Sequence, residues 1–265
     1  MTSEDAGENG ARLNFVAMGP EEAEETVLFL HGFAGDLIGW TNLQVGLAGS
    51  MRSIAFDLPG HGGSLQYPET CNAVVAAKAV IKEIEALGMD KVHLVGHSMG
   101  GAAAAILALK RPDLVKSLCL LSPGGFGVEI NQALLRRYAV AEDVNAISIL
   151  LEQFFGPAFR MPRALADHVA SYRRQPDALA ALGKTVDAIL DGTGQKRLPL
   201  EEIAALPFPL KILWGRKDRV IPVSQVYELP EMFGVHLFGD AGHMVHLERP
   251  RATLALIRQN VRAGR

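Results

Sequence analysis

Cysteine is scarce in this 265-residue chain: Cys71 and Cys119 are the only two, in no CxxC or CxxH spacing. That spacing argues against both a disulfide framework and a structural zinc site, and no metal is expected. Cys119 falls in the apolar run Leu118 to Leu121 and reads as a buried, inert thiol. Charge of one sign is also lacking. Lys and Arg number 26 against 29 Asp and Glu, a net −3, which offers nucleic acid no electrostatic handle. No uninterrupted apolar run approaches the roughly 20 residues that span a bilayer. The acidic, polar stretch Met1 to Ala11 has neither the basic nor the apolar region of a signal peptide. The expectation is a cytoplasmic protein with no nucleic-acid or membrane partner, whose residues 1–11 form a disordered tail.

What is present is an ordinary globular composition, 49% apolar and 21% charged, enough to bury a substantial core. Buried strands are expected at Thr26 to Leu30, Arg52 to Phe56, Val92 to Val95 and Ser117 to Leu121, and later at Lys211 to Trp214 and Val235 to Phe238. These runs lack the alternation of a half-wet strand. Helical spacing separates them at Asn72 to Leu87, stopped by Gly88, and at Ser98 to Lys110, stopped before Pro112. Strand and helix in alternation predict an α/β protein with a mostly parallel sheet. Between about Phe126 and Leu206 only helical patterns follow one another: Gln132 to Ala141, Asn145 to Phe155, Arg163 to Arg174 and Asp177 to Leu190. Residues 127–206 are therefore expected to form a helical cap inserted in a core made of 12–126 and 207–265. The plainer reading is that these are extra core helices.

The sharpest motif is Gly96-His97-Ser98-Met99-Gly100, G-x-S-x-G between a predicted strand and a predicted helix. A strand that turns at once into a helix strains its central residue and tolerates only tiny neighbours. Ser98 is thereby the candidate nucleophile rather than a capping serine. A serine hydroxyl needs a base that a third group orients. Among eight histidines, His243 follows the last predicted strand in Gly239-Asp240-Ala241-Gly242-His243 and is the candidate base. His246 is its near competitor; the two lack a third ligand at metal-binding spacing. Asp218, just after the strand ending at Trp214, is the candidate acid. Asp240 reads as a carboxylate that caps or solvates its loop, and the preceding strand ends in Ser122-Pro123-Gly124-Gly125, without a carboxylate.

Two N–H donors are needed for an oxyanion. Met99, after the nucleophile, supplies one; Phe33, in the loop His31 to Asp36, supplies the other. His31 reads as a structural histidine propping that loop. The turn Asp57 to Ser64 has no lysine at phosphate-loop spacing and is read as structural. Phe126, Phe154, Phe155 and Phe159 are expected to line an apolar pocket under the cap, although each alone could simply pack the cap onto the sheet.

His31-Gly32-Phe33, Asp57-Leu58-Pro59-Gly60-His61-Gly62, Gly96 to Gly101, Trp214 to Asp218 and Gly242-His243 match α/β-hydrolase motifs in order and spacing. The chain thus resembles the α/β-hydrolase superfamily over nearly its whole length. Through His31 to Asp36 and Ser122 to Asn131 it further resembles the hydrolase-like domain of the acyltransferase component of acetoin dehydrogenase complexes. Those components carry a lipoyl domain ahead of this one, and no segment here reads as such a domain. The family's sheet also begins with a hairpin, for which only Arg12 to Ala17 is available. The resemblance implies a cofactor-independent serine hydrolase acting on a small-molecule acyl substrate. Its alternatives are acyl transfer to a lipoyl-type thiol and C–C bond hydrolysis. A serine at position 98 argues against dehalogenase or epoxide-hydrolase chemistry, where the nucleophile is an aspartate. A homodimer is left open.

Overall fold

The apolar runs become one seven-stranded sheet in the computed structural model, which describes residues 11–265. All but the last residue of the expected N-terminal tail lie outside the described residues. The strands are β1 (Phe15–Met18), β2 (Thr26–Leu30), β3 (Arg52–Phe56), β4 (Val92–His97), β5 (Val115–Leu121), β6 (Leu210–Gly215) and β7 (Gly234–Phe238), in spatial order β1-β3-β2-β4-β5-β6-β7. Among the described strands of this sheet, only the β1–β3 pairing is antiparallel.

Both faces of the sheet are covered, which is why its strands read as continuous apolar runs. Successive side chains take opposite faces. Leu28, Leu94, Leu120 and Ile212 enter one core, while Phe29, Val95, Cys119 and Leu213 enter the other. Helices α2 (Ala73–Ala86) and α3 (Met99–Lys110) pack on the first face. On the second lie α1 (Thr41–Leu47) and α10 (Pro250–Ala263). Burial raises the thiols of Cys71 and Cys119 to about 12, so neither is a nucleophile near neutrality.

Between β5 and β6 the chain forms α4 (Gln132–Val140), α5 (Val144–Leu151), α6 (Arg163–Arg173), α7 (Ala178–Ile189) and α8 (Leu200–Ala204). The helical run expected over Asn145 to Phe155 ends early: α5 stops at Leu151, a 3-10 turn covers Glu152–Phe154, and Phe155 is extended. Tertiary partners are the reason. The Phe154 carbonyl accepts the His243 N–H at 2.7 Å, and the Gly156 N–H donates to Glu248 Oε2 at 2.8 Å. Here α9 (Val245–Glu248), just before α10, supplies the carboxylate. Among the described residues no helix is long and apolar enough to cross a membrane.

At the N-terminal edge, among the described residues, β1 pairs with β3 and not with its sequence neighbour β2. A four-residue edge strand needs an anchor, and α2 provides it. Glu83, buried in that helix, accepts three hydrogen bonds from the Arg12 guanidinium at 2.8 to 3.0 Å and one from the Leu13 N–H at 2.8 Å. Charge-assisted bonds of this kind are stronger than neutral ones. Glu83→Ala should therefore lower unfolding stability by about 2 kcal/mol in a urea titration. Amide exchange should speed up selectively over residues 13–18; a uniform change across the sheet would contradict this anchoring role.

Candidate active site

β4 ends at His97 and α3 begins at Met99, leaving one residue for the reversal. Ser98 takes φ 52°, ψ −117°, a strained conformation for a side-chain-bearing residue. Its own N–H donates to Leu121 O at 3.0 Å, and its carbonyl accepts from Gly124 N at 2.9 Å, so β5 and its exit loop hold the turn from one side. The glycines clear the other side. A Cβ on Gly96 would lie 2.4 Å from Gly100 O, and one on Gly100 would lie 2.3 Å from both Leu30 O and His31 O.

The loops after β6 and β7 bring the other two candidates together. His243 Nδ1 and Asp218 Oδ2 are 2.7 Å apart, both side chains buried. Asp218 Oδ1 accepts the N–H groups of Val220 and Ile221 at 2.8 and 2.9 Å, which fixes the carboxylate plane. With Nδ1 committed to Asp218, His243 Nε2 is the nitrogen free for proton transfer, and it has no hydrogen-bond partner among the described residues. His243 and Ser98 border the same cavity, of about 590 Å³. The competitors are bonded or packed against other groups, although His246 also borders the cavity. Asp240 is exposed and bonded to Arg249. His246 is buried, stacked on Trp40 at 4.5 Å, and burial lowers it to about 3.

Phe33 and Met99 border that cavity too, and neither backbone N–H has a hydrogen-bond partner among the described residues. Two neutral histidines hold the Phe33 loop. Leu58 N–H donates to His31 Nε2 at 2.9 Å, so His31 Nδ1 carries the proton that goes to Gly32 O at 2.7 Å. In the same way Ala34 N–H donates to His61 Nε2 at 3.1 Å, and His61 Nδ1 donates to Pro59 O at 2.9 Å. Burial lowers His31 and brings His61 to about 3. The turn at Asp57 serves this loop as well: its carboxylate accepts from Leu37 N, Gly63 N and Asn14 Nδ2 at 2.7 to 2.8 Å.

Of the four aromatics expected to line the pocket, Phe154 borders the cavity and the other three do not. Phe126 is fully buried against Phe233, with ring centroids 6.0 Å apart, and Phe155 stacks on Phe159 at 4.6 Å. Their faces are already used in packing. The apolar lining is otherwise a mixture of aliphatic side chains, Ile106, Leu135, Leu151 and Val169 among them, with the aromatics Phe33, Trp40 and Tyr138. Periodicity alone does not single them out, because a helix facing a cavity and one facing a core carry the same pattern.

Two supports carried no sequence signal beyond their residue type. Glu248 Oε1 accepts from Gly242 N at 2.8 Å while its Oε2 holds Gly156, so one buried carboxylate joins the His243 loop to the helical insertion. Burial raises its pKa. His168 on α6 meets Asp36 at 2.5 Å across the cavity. A further Ser–His–carboxylate chain, Ser117 Oγ to His93 Nδ1 at 2.8 Å and His93 Nε2 to Glu25 Oε2 at 2.7 Å, is buried and borders neither described cavity. Among the described residues no cluster of three or more His, Cys, Asp or Glu could hold a metal ion.

Two outcomes follow from this geometry. Gly100→Ala must displace backbone and not a flexible side chain, so it should either prevent soluble folding or, in folded protein, abolish labelling of Ser98 by a fluorophosphonate; unchanged labelling would refute the close-approach argument. The hydrogen bond to Asp36 raises His168 above its ordinary 6.5. A raised folded-state pKa means that the pair's contribution is complete below 6.5 and is lost as pH climbs through the raised value. His168→Gln should cost no more than about 1 kcal/mol near pH 6, because the imidazole is partly exposed, and less near pH 9. A cost that grows with pH in denaturant titrations would reverse the assignment.

Residues 25–250 match the family model described as the alpha/beta hydrolase fold. The chain is 32% identical over 255 residues to the dihydrolipoyllysine-residue acetyltransferase component of the acetoin cleaving system of Cupriavidus necator, covering 96% of this chain and 67% of that protein. The corresponding component of Pseudomonas putida is 34% identical over 90% of this chain and 64% of its own length. The chain thus spans about two thirds of these relatives. Among solved structures, a meta-cleavage product hydrolase from Pseudomonas fluorescens superposes with a TM-score of 0.84 at 21% identity, covering 96% of this chain and 95% of that one.

Proposed function

This chain belongs to the α/β-hydrolase fold family, and on that premise we propose that it is a serine hydrolase cleaving a carboxylic ester or related acyl bond through an acyl-Ser98 intermediate. The observation that carries the reading is the buried 2.7 Å bond from His243 Nδ1 to Asp218, in a wall of the cavity that also exposes Ser98. Ser98 Oγ attacks the acyl carbon while His243 Nε2 takes its proton. Asp218 keeps Nδ1 protonated and stabilises the imidazolium. The Phe33 and Met99 N–H groups receive the oxyanion. Collapse of the tetrahedral adduct breaks the bond to the leaving group, which takes the proton from His243. Water then enters by the same route and releases the acid. Residues 127–206 act as the cap over this chemistry, with Phe154 as the one aromatic among the four that borders the acyl cavity.

A second reading rests on the 32% identity to the acetoin-system component over 96% of this chain. There the acyl group would pass from Ser98 to a thiol. His243 can deprotonate either acceptor, so the two readings share a triad and differ in the second half-reaction. Hydrolysis is the proposed outcome.

Ser98→Ala should abolish both turnover of activated esters and fluorophosphonate labelling. Asp218→Asn and His243→Ala should each lower kcat/KM by about 10²- to 10⁴-fold. Asp240→Asn and His246→Ala should stay within about threefold of the parent, given their placement outside the proton path. Comparable losses in the second pair would mean that the loop after β7 is misassigned. Product analysis with and without dihydrolipoamide separates the acceptors: free acid as the main product at low millimolar thiol supports hydrolysis, and Ser98-dependent acyl-thioester as the main product overturns it.

A further inference from the structure

The cavity wall holds charges that acyl transfer through Ser98 does not use. Asp36 and His168 satisfy each other. Asp191, Lys196 and Arg197 also border the cavity, all three exposed and none in an ion pair among the described residues. Two cations therefore face one carboxylate on this rim, above a lining that is otherwise largely apolar.

The backbone that carries the two cations is fixed. Gln195 N–H donates to Val128 O at 2.9 Å and Leu198 N–H donates to Gly125 O at 2.8 Å, one anchor on each side of the pair. Gly125 N–H returns a bond to the buried Gln195 Oε1 at 3.1 Å. Gly125 has φ +79°, and a Cβ there would sit 2.8 Å from Leu198 Cγ, so the segment lies flat on the loop that leaves β5. The neighbouring Gly124 bonds the Ser98 carbonyl, which makes the mount continuous with the nucleophile turn. Lys and Arg are long donors that can reach along a wall while their charged ends stay wet.

We propose that Lys196 and Arg197 form an anion-recognising rim. The preferred substrate then has an apolar body in the cavity and a negatively charged group, carboxylate or phosphate, remote from the scissile bond. The proposal rests on the acyl-Ser98 reading for its chemistry and deepens it by naming the substrate class. Rim charges act mainly on encounter and are screened by salt. Their signature is an effect on kcat/KM and KM at constant kcat.

The experiment compares the 4-nitrophenyl esters of adipic acid, of its methyl-capped half-ester and of a 6-phosphonohexanoic acid. The parent protein should prefer one or both charged esters to the capped one. In Lys196→Ala/Arg197→Ala that preference should fall by about tenfold, up to about fivefold per exposed pair, with the capped ester unchanged and high salt reproducing the loss. Lys196→Arg/Arg197→Lys should retain it. Which charged ester is favoured separates a carboxylate from a phosphate. No preference in the parent, or an equal loss on charged and capped esters, overturns the proposal. Binding to Ser98→Ala reads the rim without turnover: hexylphosphonate should bind more tightly than hexanol there, and the difference should vanish when both cations are removed. Failure of ester turnover with this discrimination intact would count against the acyl-Ser98 reading alone. Equal binding of the two probes would count against the rim alone.

Discussion

At Gly100, α3 begins so close to the end of β2 that a single added carbon would lie 2.3 Å from two backbone carbonyl oxygens. That contact sets where Ser98 stands relative to the Phe33 loop, because the same end of β2 runs on into His31 and Gly32. Gly32 is tight against the site in turn, with a Cβ there 2.9 Å from His97 Nδ1 and 3.0 Å from Ser98 Cβ. Backbone against backbone leaves no rotamer to relax, so the proposed nucleophile and oxyanion donors are positioned by the sheet itself. The parallel register of β2 with β4, Leu30 opposite Gly96, delivers both loops at one edge.

The proposed acid and base depend on a different support. Gly215 and Gly242 meet where a Cβ on the former would lie 2.0 Å from the latter's carbonyl, which brings the loops after β6 and β7 together. The segment Glu152 to Gly156 of the helical insertion then supplies their remaining partners. Phe154 O holds the His243 N–H, Glu248 ties Gly156 to Gly242, and Arg219 donates to the carbonyls of Glu152 and Phe155 at 2.8 and 3.1 Å. This insertion closes a cavity and also forms part of the scaffold that aims His243. Substitutions in that segment should be read with both roles in mind.

Four buried histidines surround the site without taking its role. His31, His61, His97 and His246 are all pushed down by burial, and in three of them a ring nitrogen bonds a backbone carbonyl. Neutral imidazoles packed between backbone groups act as rigid donor–acceptor spacers. His97 holds the carbonyl of His243 at 3.0 Å and so connects the end of β4 to the proposed base. His243, unlike these four, has a carboxylate partner among the described residues, which is what separates it chemically from His246 three residues later.

The sequence by itself determined six of the seven described strands, β2 to β7, the G-x-S-x-G turn and the proposal of Ser98, Asp218 and His243 in that order. Each of these is written in local terms: apolar runs, glycines at fixed offsets and loops directly after strands. It also carried the likeness to the α/β-hydrolase family, which the match over residues 25–250 bears out. Tertiary structure alone decided the pairing of β1 with β3, the early end of α5, the bridging by Glu248 and which aromatics face the cavity. Phe154 and Phe155 are neighbours of one type, yet the first borders the cavity and the second stacks on Phe159. Periodicity states that a side chain is buried. Only the assembled packing decides whether its neighbour is another side chain or an open cavity, because that depends on partners far away in the chain.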